Sequence, residues 1–175
     1  MPGKNNKKDA IPREKPKPPL VVVMGVSGSG KTTIGLLLAA HWGVDFYDGD
    51  DFHPKANVAK MEKGDPLNDE DRQPWLQTLN QQLHNWSERG AVLGCSALKT
   101  SYRIVLQEGI PQLRYVHLTG TRDLILARMK ARKGHFMPPS LLDSQIATLE
   151  IPEDAVAVDI DQTPEEIKSE ILSKW

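Results

Sequence analysis

Three consecutive stretches decide the fold: LVVVM (Leu20–Met24), GVSGSGKT (Gly25–Thr32) and TIGLLLAAHWG (Thr33–Gly43). The first is a short unbroken apolar run rich in valine, the pattern of a strand buried on both faces. The second matches GxxxxGK[ST] at every position. The third is helical in character and stops at Gly43, a residue suited to a left-handed helix end. A strand, a glycine-rich turn and a helix in that order form a cradle for phosphate. The glycines let backbone N–H groups turn inward, and the helix adds its positive end. Lys31 can reach the outer phosphates of a nucleotide, Thr32 can ligate Mg²⁺, and Thr33 can meet an inner phosphate. Nucleotide binding by Gly25, Val26, Ser27, Gly28, Ser29, Gly30, Lys31, Thr32 and Thr33 is the expectation on which the others rest.

Further along, strand candidates alternate with helices. Val44–Tyr47, Ala91–Cys95, Leu113–Leu118 and Ala155–Ile160 are the later strands. Helices are expected around Val58–Lys63, from a cap at Asp69 past Trp86 to Gly90, and from the SALKTSYR segment to about Gln107. Others open at Thr121 (carrying Arg128 and Arg132), run from about Leu141 to Leu149, and start at Thr163. Thr163, Pro164 and Glu166 give a cap, a proline at the first position and a reciprocal acid three residues on. This alternation predicts an α/β fold: a parallel sheet covered by helices on both faces. Ligands in such sheets bind beyond the carboxyl ends of the strands. The polar segments DGDD, CSALK and VDIDQ each follow a strand and are therefore expected to converge beside the glycine-rich turn.

Asp48 and Asp50 follow the second strand. One carboxylate can hold a water of a metal shell, and the other can orient an alcohol and accept its proton. The third strand ends in Gly94-Cys95-Ser96, with no carboxylate to anchor a metal there. Downstream cations at Arg72, Lys99, Arg103, Arg128, Arg132 and Lys133 suit the charge of a phosphoryl group in transit or an anionic acceptor. The KGHFMPPS segment, with a glycine and two prolines, reads as a loop, and a lid is expected over about 133–141. His135 within it can contact substrate or be merely solvated.

The 175 residues suit one domain, here 19–175, after a basic, proline-rich tail over 1–18 that is read as mobile by composition. The net charge of −1 gives no field that would attract nucleic acid. No apolar run is long enough to cross a bilayer, so no membrane partner is expected. The lone cysteine excludes an intramolecular disulfide and suits a reducing cytoplasm.

Taken together, GVSGSGKTT, DGDDFHPKANVAKMEKGDPLNDEDRQPWL, CSALKTSYR, ARKGHFMPPSLLDSQIATLE and the closing VDID resemble a gluconokinase of the small P-loop type. The likeness runs from about Val21 to Ile160. It implies a three-layer P-loop kinase fold with five parallel strands and a mobile lid, similar to shikimate and adenylate kinases. It implies ATP and Mg²⁺ as cofactors, D-gluconate as substrate and 6-phospho-D-gluconate as product. A cytoplasmic homodimer is implied as well. By the same resemblance Asp48 sits near Mg²⁺ and Asp50 near the substrate hydroxyl, while Arg72, Lys99, Arg103 and His135 surround the acceptor. Arg128 lies against adenine, Arg132 near the phosphates, and Asp161–Pro164, with Gln162 and Pro164, borders the base. The chemistry of gluconate fits: a cation for its carboxylate, polar groups such as His53 for its hydroxyls, and Asp50 beside the reacting alcohol.

The sequence departs from the family pattern at Thr32, often serine, which keeps the needed hydroxyl. Thr100 and Ile104 stand where a basic residue and an aspartate are usual, which leaves the orientation of Arg103 open. Three other readings compete: a kinase for a different small acid such as shikimate, a nucleotide-binding regulatory module without turnover, and nucleic-acid binding through the basic tail, which lacks aromatic residues to stack on bases. Intact Lys31, Thr32, Asp48, Asp50 and Arg132 weigh against the second.

Overall fold

In the computed structural model, residues 15–132 and 138–175 are described. Five strands form one parallel sheet: β1 (Leu20–Met24), β2 (Asp45–Asp48), β3 (Ala91–Gly94), β4 (Arg114–Thr119) and β5 (Val156–Asp159). Their order across the sheet is β2-β3-β1-β4-β5. β1 is therefore central, with Val22 opposite Leu93 of β3 on one side and Tyr115 of β4 on the other. All five of its residues are buried, as the valine run predicts. The strand order reverses at β1, so the crevice beyond its carboxyl end is the place for a ligand in this architecture.

The helices of the described residues are α1 (Lys31–Trp42), α2 (Lys55–Glu62), α3 (Asp69–Trp86), α4 (Thr100–Gln107), α5 (Arg122–Ala131), α6 (Pro139–Thr148) and α7 (Pro164–Ser173). Neighbouring residues of β2 show how they form layers. A Cβ on Gly35 of α1 would lie 2.3 Å from the ring of Phe46. The next ring, Tyr47, stacks on Trp86 of α3 with centroids 3.9 Å apart. Successive strand residues point to opposite faces, so α1 and α3 cover opposite sides of the sheet. The core between them includes Trp75, Leu76, Leu79 and Leu83 of α3 and Leu38 of α1, all close to fully buried.

Boundaries shift from expectation in instructive places. Asn68, not Asp69, caps α3: its side chain accepts from the Asp71 N–H at 2.7 Å, and Asp71 returns a bond to the Asn68 N–H at 2.9 Å. This reciprocal box satisfies two orphan donors and leaves Asp69 for other partners. α2 begins at Lys55, earlier than expected, because Pro54 precedes it in extended conformation and ends the preceding turn. α6 begins at Pro139, where a proline needs no N–H partner. α5 ends at Ala131, with Arg132 just past it. The box at Thr163 and Glu166 forms as the sequence predicts. Residues 1–14 of the expected tail and 133–137 of the expected lid, with His135, lie outside the described residues.

Candidate active site

The glycine-rich turn lies where β1 meets α1. Gly25, Gly28 and Gly30 have φ of 150°, 80° and 96°, a region that side chains rarely adopt. Gly25 is further constrained: a Cβ there would sit 2.7 Å from Ser29 Oγ and 3.0 Å from the Leu118 carbonyl. The loop wraps Lys31, whose Nζ donates to the carbonyls of Gly25 (3.1 Å) and Val26 (3.0 Å). Burial holds the Lys31 ammonium below its ordinary pKa, and the carboxylates of Asp50 and Asp48 pull it back up. The result is a desolvated cation aimed at an anion site.

A cavity of about 460 Å³ opens over this loop. Ser27 through Thr33 line it from below, and Asp48 and Asp50 from the end of β2. Arg128 and Arg132 from α5, and Gln162 and Pro164 from the start of α7, close the far side. Gly25 and Val26 are not in the wall; they act through Lys31. Arg128 is held by a bond from Nη2 to the Ile160 carbonyl at 2.5 Å, which ties α5 to the segment that borders the cavity. Gln162 is fixed by bonds to the Asp159 carbonyl and Glu170. The hydroxyl of Ser29 is buried and finds no hydrogen-bond partner among the described residues, which leaves an orphan donor in the wall.

No cluster of three metal-ligating side chains exists among the described residues. Mg²⁺ does not need one, since it takes one or two protein oxygens and completes its shell with phosphate and water. Thr32 and Asp48 facing the same cavity fit that donor set. Asp48 also caps a 3₁₀ turn, Gly49–Phe52, by accepting from the Asp50 N–H at 2.9 Å. The turn sits directly on β3: a Cβ on Gly49 would be 2.8 Å from the Gly94 carbonyl. Backbone contact thus fixes where the two carboxylates stand.

Beyond Asp50 a second group of polar side chains gathers. His53 is nearly enclosed, stacks on Trp75 at 4.1 Å and lies 3.7 Å from Asp50 through Nε2. Its Nδ1 accepts from Asn57 Nδ2 at 3.3 Å, and Asn57 also donates to the Asp71 carbonyl. Because Asn57 supplies the hydrogen, the neutral ring carries its proton on Nε2. Burial, aided by nearby Arg72, lowers the His53 pKa to about 4. Asp69 accepts a short bond from the Tyr102 hydroxyl and pairs with Lys99 at 2.9 Å. Those partners hold the Asp69 carboxyl below its usual range, and Asp69 in turn raises the Lys99 ammonium. Arg72 donates to the Leu67 carbonyl and to the Tyr102 hydroxyl.

Arg103 differs from the other expected acceptor residues. It is 7% exposed, and four of its hydrogen bonds go to protein oxygens: the carbonyls of Ala97, Leu98 and Glu150, and Thr100 Oγ1. These bonds tie Arg103 to the loop after β3, where Ala97 adopts a left-handed φ of 46°. The missing aspartate at Ile104 therefore costs no orientation, and Ile104 itself is exposed.

The family model for shikimate kinase matches residues 27–174. The chain is 49% identical over 146 residues to the thermosensitive gluconokinase of Escherichia coli strain K12, covering 79% of this chain and 78% of that one. It is 45% identical over 165 residues to the gluconokinase of Gluconobacter oxydans strain 621H, covering 89% and 90%. The crystal structure of a gluconokinase from Sinorhizobium meliloti 1021 superposes with a TM-score of 0.83 at 45% identity, covering 91% and 92%. The chain belongs to the gluconokinase family. It lies within the wider shikimate kinase family that the matching model describes.

For a gluconokinase relative, the residues that sequence reasoning missed are Asp69, Tyr102, Asn57 and Trp75. Asp69 and Tyr102 join Lys99 and Arg72 into one array, and Asn57 and Trp75 fix His53. The spacing of Asp69 and Arg72 on one helix was a usable signal, since residues three apart share a face. Nothing in the sequence marked Tyr102 as their partner across thirty-odd positions.

Proposed function

We propose that this chain transfers the terminal phosphoryl group of ATP to the far hydroxyl of D-gluconate, giving ADP and 6-phospho-D-gluconate. The observation that carries this reading is the junction at Asp48 and Asp50. These carboxylates face the phosphate cavity on one side, and Asp50 stands beside His53 at the head of the second polar array on the other.

The phosphates of ATP bind across the glycine-rich loop, with Lys31 against the outer oxygens. The adenine lies between Arg128 and the Gln162–Pro164 segment. Thr32 and Asp48 would hold Mg²⁺, which when bound screens the phosphate charge. Arg132, at the cavity rim, meets the phosphoryl group as charge builds on it. Asp50 orients the terminal hydroxyl of gluconate and accepts its proton; the base need only be modest, since phosphoryl transfer is mostly positioning and charge stabilisation. His53, neutral with its proton on Nε2, donates to a substrate oxygen. Lys99 and Arg72 supply the charge for the carboxylate, with Asp69 and Tyr102 ordering them. Arg103 acts through the loop it holds. A cytoplasmic homodimer completes the reading, on family resemblance.

The test is ADP production with Mg-ATP across gluconate, shikimate, related sugar acids and no acceptor. Turnover confined to gluconate, with 6-phosphogluconate as product, is expected. Turnover on shikimate but not gluconate would overturn the substrate assignment. ATP binding without any product would favour a regulatory module.

A further inference from the structure

Two loops that flank the reaction centre are tied to the same helix. Gln145 of α6 accepts from the Ser27 N–H through Oε1 at 2.7 Å and donates from Nε2 to Ser27 Oγ at 3.2 Å. Ser27 belongs to the glycine-rich loop and lines the phosphate cavity. Just past the end of α6, Glu150 grips the loop after β3. Its Oε2 accepts from the Thr100 N–H at 2.7 Å, its own N–H donates to the Leu98 carbonyl at 2.8 Å, and its carbonyl accepts from Arg103 at 3.0 Å. That loop carries Lys99. α6 is itself fixed, by Leu142 buried in the core and by Asp143, which accepts two bonds from Arg122 of α5.

We infer that α6 is a brace that holds the nucleotide loop and the acceptor loop at a set separation, with Gln145 the positioning residue for the first and Glu150 for the second. The chemistry of the amide is what Ser27 requires. Ser27 presents a donor on its backbone and an acceptor on its side chain, and a glutamine answers both at once. A carboxylate at this position would answer only the donor and would put a negative charge beside bound phosphate. An aliphatic side chain would answer neither. Transfer needs the attacking oxygen and the phosphoryl group aligned within a fraction of an ångström, so two loops set from one rigid element is a direct route to that alignment.

The acceptor arm of this inference rests on the gluconate reading above; the nucleotide arm does not. The experiment therefore measures Mg-ADP affinity by calorimetry, the KM for gluconate, and the melting temperature. Gln145→Leu is expected to weaken Mg-ADP binding about tenfold, leaving the gluconate KM within about twofold. Gln145→Glu should weaken Mg-ADP further, because of its charge. Ser27→Ala should weaken it less, and should add little when combined with Gln145→Leu, since the two share one contact. Glu150→Ala should raise the gluconate KM about fivefold without changing Mg-ADP affinity, and Glu150→Gln should recover most of the loss by keeping an acceptor for the Thr100 N–H. Unchanged Mg-ADP affinity in Gln145→Leu, with only a lower melting temperature, would overturn the role of Gln145. Equal effects of the Gln145 and Glu150 variants on both constants would overturn the division between the two arms. If the wild type ignores gluconate, the acceptor reading fails, while the Mg-ADP titrations still decide Gln145.

Discussion

On the function proposed above, the nucleotide half of the site comes from one unbroken run, Gly25–Thr33, in which backbone conformation would do the binding. On the same reading the acceptor half is assembled from His53, Asp69, Arg72, Lys99 and Tyr102, carried on the 3₁₀ turn's end, α3, and the loop and helix after β3. In the first, glycine torsions and the α1 terminus aim fixed dipoles, and only Lys31 and the hydroxyls contribute side-chain chemistry. In the second, almost every polar group is held by another: Lys99 by Asp69, Asp69 by Tyr102, Tyr102 by Arg72, and His53 by Asn57. A phosphate group is the same in every substrate, and a local backbone cradle suffices for it. A linear polyol acid offers several similar oxygens, and choosing among them requires side chains fixed from several directions.

Three measurements bear on this contrast. The largest effect is expected for Lys31→Ala, which should lower turnover about a thousandfold, because a buried charge at the phosphates acts where little else can replace it. Steady-state assays would check this, and near-normal turnover would remove the phosphate assignment on which the nucleotide half depends. Asp50→Asn comes next. It should cut kcat about a hundredfold while the KM for ATP changes less than about threefold, as expected of a group that acts on the acceptor hydroxyl. An equal loss in both constants would move Asp50 into the nucleotide half and shift the boundary between the two. The third effect, on stability and not on turnover, concerns His53. Its folded pKa, about 4, lies below its ordinary 6.5, so the unfolded chain binds the extra proton between those values. Stability should therefore be fully present above pH 6.5 and decline as pH falls towards 4, by on the order of 3 kcal/mol from this group alone. Denaturant titrations of the wild type and His53→Gln should differ in slope over that window; identical slopes would mean that the acceptor half holds no such suppressed charge.

The same contrast explains what could be read in the sequence. Gly25–Thr33 was legible because its function is local: spacing, torsional freedom and the following helix are all present in the linear string. The five strands were legible for a related reason: β1 and β3 are buried apolar runs bounded by turn residues, the other three are short apolar or mixed runs set between helices, and the strand edges moved by only a residue or two. Asp48 and Asp50 were legible by position at a strand end. The bonds of Arg103 to Ala97, Leu98, Thr100 and Glu150 were not legible, because they join it to segments brought together only by the fold. The exchange of cap from Asp69 to Asn68 has a local cause: Asp71, three residues after Asn68, can accept from the cap's own N–H, whereas Arg72, three after Asp69, cannot.

The stacking of Trp75 against His53 has an optical consequence. Trp86 is engaged with Tyr47 and Phe52, and Trp42 pairs with Trp175. Trp75 lies flat against an imidazole of the acceptor half, with its own N–H anchored to the Gly49 carbonyl at 2.8 Å. Its emission therefore responds to whatever alters that ring, whether a proton or an arriving polyol. Changing Trp42, Trp86 and Trp175 to phenylalanine would leave a chain whose remaining fluorescence reports from the side of the site where His53 stands.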